Sequence, residues 1–167
     1  MTSVSANLAH PVDAALHCQV ARLLMSCAQC IDDDQLEQWP DYFIDDCHYR
    51  VQSRENYDRG LPVSAMSCHS KGMLIDRVVS LRHANIYAEH FYRHILSIPV
   101  IHSATDNEIV VHTNYVVFQT LLDGASHTYS VGRYLDKIVV LDGALKFKER
   151  IVVFDTNQIA TLMVTPI

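Results

Sequence analysis

Between Val12 and Ile31 apolar residues return every three or four positions, at Val12, Ala15, Leu16, Val20, Leu23, Leu24, Cys27 and Ile31, with His17, Gln19 and Arg22 on the other sides. This spacing predicts an amphipathic helix of about five turns. Asp32, Asp33 and Asp34 interrupt it and can cap a second short helix carrying Leu36, Trp39, Tyr42 and Phe43, where Pro40 is tolerable only in the first turn or two. Cys47 to Gln52 alternates like a strand, and residues 53–62 (SRENYDRGLP) are turn-forming and predict a surface loop. Gly72 to Leu81 returns to helical spacing through Met73, Leu74, Arg77, Val78 and Leu81.

From Phe91 onward the pattern changes to that of a sheet. Arg93 to His102 is strand-like with Pro99 at an edge or bulge, and Glu108 to Leu122, Ser126 to Leu141 and Ala144 to Asp155 are long β-rich runs. Asp123-Gly124 and Asp142-Gly143 are hairpin signals, so the last three runs predict an antiparallel meander. Ile159 to Ile167 predicts a short tail that adds an edge strand or lies against another chain. Helices first and a meander afterwards is an α+β pattern. Strands this long accumulate twist, so the sheet should curl around the helices into a cone that can hold a pocket. Val110 to Leu122 is apolar on both alternations, Val110, Val116 and Phe118 against Val111, Tyr115 and Val117, so one set can face the cone and the other a neighbouring chain. Self-association is the expectation.

Composition narrows the class. A chain of 167 residues that is 49% hydrophobic predicts one compact domain over residues 12–167, preceded by a flexible tail at 1–11. Its 13 Lys and Arg against 19 Asp and Glu disfavour a nucleic-acid partner. The imbalance is local: nine acids face Arg50 and Arg54 between Asp32 and Asp58, which reads as one solvated acidic face. There is neither an apolar run of about 18 residues nor a basic-then-apolar leader, so no membrane segment is expected and the predicted location is cytoplasmic. The five cysteines are expected as thiols, with Cys27-x-x-Cys30 as buried helix thiols because no second Cys or His pair follows at zinc-site spacing.

Nucleotide-binding, zinc-protease and serine-hydrolase signatures are absent. A Rieske centre needs C-x-H and C-x-x-H pairs, whereas Cys47-His48 and Cys68-His69 are adjacent. The ten histidines include one conceivable iron set, His90, His94 and Asp76, which nothing holds on one face, and one conceivable acid/base pair, His94 with Asp45 or Asp46 at the cone mouth. Arg77, Arg93, Arg133 and Arg150 sit in or beside apolar elements and need partners, expected among Asp76, Glu89, Asp136, Glu149 and Asp155. With His94 and Asp155 they are the candidates for structural ion pairs or subunit contacts, and no catalytic, metal or cofactor residue is assigned. Trp39, Tyr42 and Phe43 are expected in the core.

The segments Leu36-Glu37-Gln38-Trp39-Pro40-Asp41-Tyr42-Phe43, Asp46-Cys47-His48-Tyr49-Arg50-Val51, Arg54-Glu55-Asn56, Met73 to Val78, Tyr92-Arg93-His94-Ile95-Leu96-Ser97 and Arg150 to Asp155 carry a resemblance. In order and spacing the chain resembles small (beta) subunits of aromatic-ring-hydroxylating dioxygenases, from about Val12 to Ile167. The loop Arg54 to Pro62 looks closest to systems acting on benzoate-type acids, including salicylate, terephthalate and anthranilate. Ile98-Pro99 departs from the Asn and β-branched residue of many relatives. The resemblance implies a cone of the nuclear-transport-factor-2 (NTF2-like, cystatin-like) type. It also implies a non-catalytic assembly subunit whose partner is a large alpha subunit carrying the Rieske [2Fe-2S] cluster and mononuclear Fe(II), in a trimer of alpha-beta pairs. The alternative of another class is a free-standing dehydratase or isomerase of the same fold, using a His/Asp pair in the cone.

Overall fold

The computed structural model describes residues 14–84, 87–156 and 163–167. The expected tail at 1–11, the first two residues of the expected first helix and residues 159–162 of the expected C-terminal element lie outside them. Helix α1 spans Ala14–Asp32 and turns Val20, Leu24, Cys27, Ala28 and Ile31 inward, the stripe its spacing predicts. The second helix is a 3-10 helix, Leu36–Tyr42, with Pro40 inside it. Strand β1, Phe43–Ser53, begins four residues earlier than the alternation suggested. In the expected loop, Ser53 accepts a hydrogen bond from the Asn56 N–H and caps a one-turn helix α2, Arg54–Asp58. A short strand β2, Met66–Cys68, was also not read from the sequence. Ser70 caps α3, Lys71–His83, in the same way through Met73 N–H.

The single strand expected at Arg93 to His102 is two, β3 (His90–Leu96) and β4 (Val100–Ala104). Pro99 has no N–H to give a ladder, and the chain breaks around it before pairing again with β5. The meander follows as β5 (Ile109–Leu121), β6 (Ser126–Leu141) and β7 (Ala144–Phe154). Asp142 and Gly143 both have positive φ, 51° and 78°, the type I′ geometry that the twist of the flanking strands favours.

The sheet runs β2-β1-β7-β6-β5-β3, with β4 also on β5. Neighbours are antiparallel, the expected meander β5-β6-β7 included, but the antiparallel pairing does not extend to β1 and β7, which are parallel. A parallel neighbour needs a long crossover, and the chain between β1 and β7 is one. Register slips at Phe43/His48, Ile101/Ser103, Val117/Phe118 and Lys137/Ile138 add local twist and curl the sheet. The inner face carries Tyr49, Val51, Val111, Tyr115, Val117, Tyr134, Phe147 and Val152, against α1 and α3. At one end Trp39 meets Phe43 and Tyr49 edge-on, with ring centroids 5.6 and 5.1 Å apart.

Candidate functional site

The interior of the cone is where a pocket of this fold would lie. Alternation along β6 and β7 turns Tyr134, Asp136 and Arg150 inward together. Arg150 donates from Nε to Asp136 Oδ1 at 2.8 Å and from Nη2 to Oδ2 at 2.9 Å, a two-pronged pair with both side chains almost wholly buried. Its guanidinium also lies 4.0 Å from the Phe147 ring centroid and 4.4 Å from that of Tyr134. Tyr134 in turn stacks on Tyr115 at 4.4 Å, and the Tyr115 hydroxyl meets Ser130 Oγ at 2.9 Å. Burial works against Arg150's charge, but the carboxylate and its hydrogen bonds hold the guanidinium protonated, its pKa above the ordinary value. Burial alone dominates at Cys27, 3.6 Å from Arg150 Nη1, and pushes its thiol up to about 12, so it is no nucleophile.

The second inward cluster ties α1 to β3. Asp32, the last residue of α1, accepts from the His94 backbone N–H at 2.9 Å through Oδ2 and meets His94 Nδ1 at 2.6 Å through Oδ1. The sequence reading offered Asp45 or Asp46 as the partner of His94. The structure supplies Asp32 instead, because α1 ends beside β3, whereas both other acids are exposed at the start of β1. An imidazole held at Nδ1 by a carboxylate is the posture of a general base. Here, however, the His94 side chain is 1% exposed, and its Nε2 is buried without a hydrogen-bond partner. A cavity of about 270 Å³ lies at this end of the sheet, with Ile31, Asp32, Tyr92 and Thr165 on its wall but not His94.

The remaining interior is filled by the chain itself. Met163, Val164, Thr165 and Ile167 are buried, and the hydrophobic three join the main core. Tyr49 donates its hydroxyl proton to the Ile167 carbonyl at 2.9 Å and accepts from the Ile167 N–H at 3.1 Å. Arg77 donates from Nη2 to the Met163 carbonyl at 2.7 Å, so its partner is backbone and not one of the expected carboxylates. The spacing of Met163, Val164 and Ile167 was the one available signal that this segment is core.

The other candidates are scattered. Arg93 is 62% exposed and reaches Asp32 only at 3.9 Å. Arg133 lies on the outer face, 4.0 Å from Asp58 and 5.8 Å from the Tyr57 ring centroid, and Asp155 pairs with Arg54 at 3.3 Å. His90 turns Nδ1 to the Ala88 carbonyl at 2.8 Å, and Asp76 is exposed on α3, so the conceivable iron set does not converge. Among the described residues no three His, Cys, Asp or Glu side chains converge as metal ligands, and no helix is long and apolar enough to cross a membrane.

Residues 27–161 match the family described as ring hydroxylating beta subunit. The anthranilate 1,2-dioxygenase small subunit of Burkholderia cepacia is 47% identical over 137 residues, 82% of this chain and 85% of that one. A terephthalate 1,2-dioxygenase terminal oxygenase component subunit beta 2 from a Comamonas species is 40% identical over 149 residues, 89% and 97% of the two chains. Among solved structures, the beta subunit of a candidate aromatic-ring-hydroxylating dioxygenase from Novosphingobium aromaticivorans superposes with a TM-score of 0.86 at 43% identity, covering 94% of this chain and all of that one. NTF2-like neighbours of lower identity, a candidate scytalone dehydratase among them, share the fold. With its curved sheet, its helices on one face and a match over most of its length, the chain belongs to the ring-hydroxylating beta-subunit family.

Proposed function

We propose that this chain is the non-catalytic beta subunit of an oxygenase that oxidises a benzoate-type aromatic acid, the class to which the anthranilate and terephthalate relatives point by name. The observation that carries the reading is the filled cone. Met163 to Ile167 occupy the interior, Asp32 spends both carboxylate oxygens on His94, and the imidazole's free nitrogen is sealed from solvent. A dehydratase or isomerase would need that nitrogen within reach of a substrate. The partner is a large alpha subunit holding the Rieske cluster and the mononuclear iron. The assembly is a trimer of alpha-beta pairs in the cytosol, with the beta chains in contact with one another.

Co-expression with the alpha subunit tests this. The two chains should co-purify, and oxygenase turnover should require both. His94→Ala should leave turnover per assembled complex within about tenfold of the wild type, equivalent to about 1.4 kcal/mol of barrier. A variant that assembles normally but loses more than that would put His94 in the chemistry and overturn the reading.

A further inference from the structure

Two pairs of imidazoles lie in ring contact among the described residues, and they differ in what their nitrogens meet. His48 and His69 stack with ring centroids 4.8 Å apart and planes 18° from parallel. His48 Nδ1 faces Glu149 at 3.5 Å, its Nε2 is buried, and His69 Nε2 meets Ser67 Oγ at 3.2 Å. His102 and His112 sit closer, with centroids 4.0 Å apart and planes at 51°, and neither ring enters a hydrogen bond or ion pair among the described residues. Backbone geometry creates this second pair. Val100 pairs with His112 and Ile101 with Val111, but the register then slips, and His102 is left without a partner in the ladder. A bulge of this kind re-aims the side chain of the unpaired residue. His102 is exposed and His112 half-buried, both on the outer face of the sheet.

Imidazoles without carboxylates suit late first-row divalent ions, copper(II) ahead of nickel(II) and zinc(II), and do not suit magnesium or calcium. Nitrogens bound side by side at about 2.0 to 2.1 Å from one metal lie about 3 Å apart, a spacing that rings in contact reach by rotating about their terminal torsions. The cations near the pair are drawn elsewhere. Arg133, diagonal to His112 across β5 and β6, turns to Asp58 at 4.0 Å, and Lys137, on the other diagonal, holds Glu149 at 2.9 Å. We propose that His102 and His112 form a two-point chelate for a divalent copper- or nickel-class ion. Among the described residues no third His, Cys, Asp or Glu joins them, so water completes the coordination and the ion is exchangeable. β4 pairs with β5 and with no other strand, and the bound ion clamps it there. The site stands on this chain's own side chains and does not depend on the oxygenase reading.

Titration of the purified, chelator-stripped chain with copper(II) iminodiacetate is the direct test, because that complex leaves room for two imidazoles and binds a lone one weakly. The wild type should take up one equivalent at micromolar concentration, with a paramagnetic resonance spectrum showing two imidazole nitrogens. His102→Gln and His112→Gln should each weaken binding at least tenfold, while thermal unfolding without metal shows both folded. Combining them should cost no more than about threefold beyond either alone, since the second ligand acts only through the chelate. The pair His48→Gln with His69→Gln should bind within about twofold of the wild type. Hydrogen exchange of the β4 amides should slow at least tenfold on binding, with those of β7 unchanged. A wild type that takes up no copper, binding that survives either single substitution or is lost with His48 and His69, or β4 amides that do not slow would each overturn the proposal.

Discussion

At the scale of single residues, burial sorts the arginines that the sequence set out as equals. Each lies beside an apolar run, but only Arg150 is enclosed on all sides, by Asp136, Tyr134, Phe147 and Cys27. Removing one partner of such a pair leaves the other charge in a low-dielectric interior. Arg150→Ala should therefore lower unfolding free energy by about 3 to 5 kcal/mol, while Arg93→Ala, on an exposed side chain, should cost less than about 1 kcal/mol. Chemical denaturation of the two variants checks the contrast, and equal losses would remove the distinction.

At the scale of elements, the hairpin joining β6 and β7 contains a position where sequence pattern and backbone geometry meet. Gly132 pairs with Phe154, and a Cβ built there would lie 2.0 Å from the Val153 carbonyl oxygen and 2.8 Å from the Phe154 Cα. Both obstacles are backbone, so the strands themselves would have to part. Gly132→Ala should destabilise the chain by at least about 3 kcal/mol, the upper range for overpacked positions. By comparison Gly72→Ala meets nothing closer than Ser70 Oγ at 3.7 Å, and in helix α3 it should be neutral or stabilising. Thermal unfolding of the two variants gives the comparison. Capping is legible at this scale too: Ser53 and Ser70 are ordinary N-caps, but α2 is one turn long and too short for a periodic pattern to reveal it.

At the scale of the whole molecule, stability should depend on pH through two histidines of the outer face. Burial lowers the pKa of His48, with Arg50 and His69 adding to the effect and Glu149 opposing it. Burial likewise lowers His112, aided by His102 and Arg133 and opposed by Asp136. In the unfolded chain both titrate near about 6.5, so below that pH the unfolded state binds more protons than the folded one. Their contribution is complete above about pH 6.5 and is lost as pH falls toward the lowered folded values. Melting temperature should drop over that window, and a His48→Gln, His112→Gln chain should drop less steeply. Parallel slopes for the two proteins would contradict this.

The sequence by itself determined the three longer helical segments, the meander, the β6–β7 turn and the family, though not α2, β2 or the break between β3 and β4, because helical and strand periods, turn chemistry and short motifs are local properties of the chain. It also marked Arg150 and Asp136 as charges needing partners. Tertiary structure alone decided who met whom. His94 received Asp32 and not Asp45 or Asp46 because α1 ends beside β3. The Ile159 to Ile167 stretch, read as an edge strand or a contact with another chain, has Met163 to Ile167 inside the cone, where Tyr49 and Arg77 satisfy its backbone. Pairings of this kind span tens of residues to more than a hundred, and no periodicity encodes them. They follow from how far the sheet curls, which the register slips set, and from which apolar segment then fills the space enclosed.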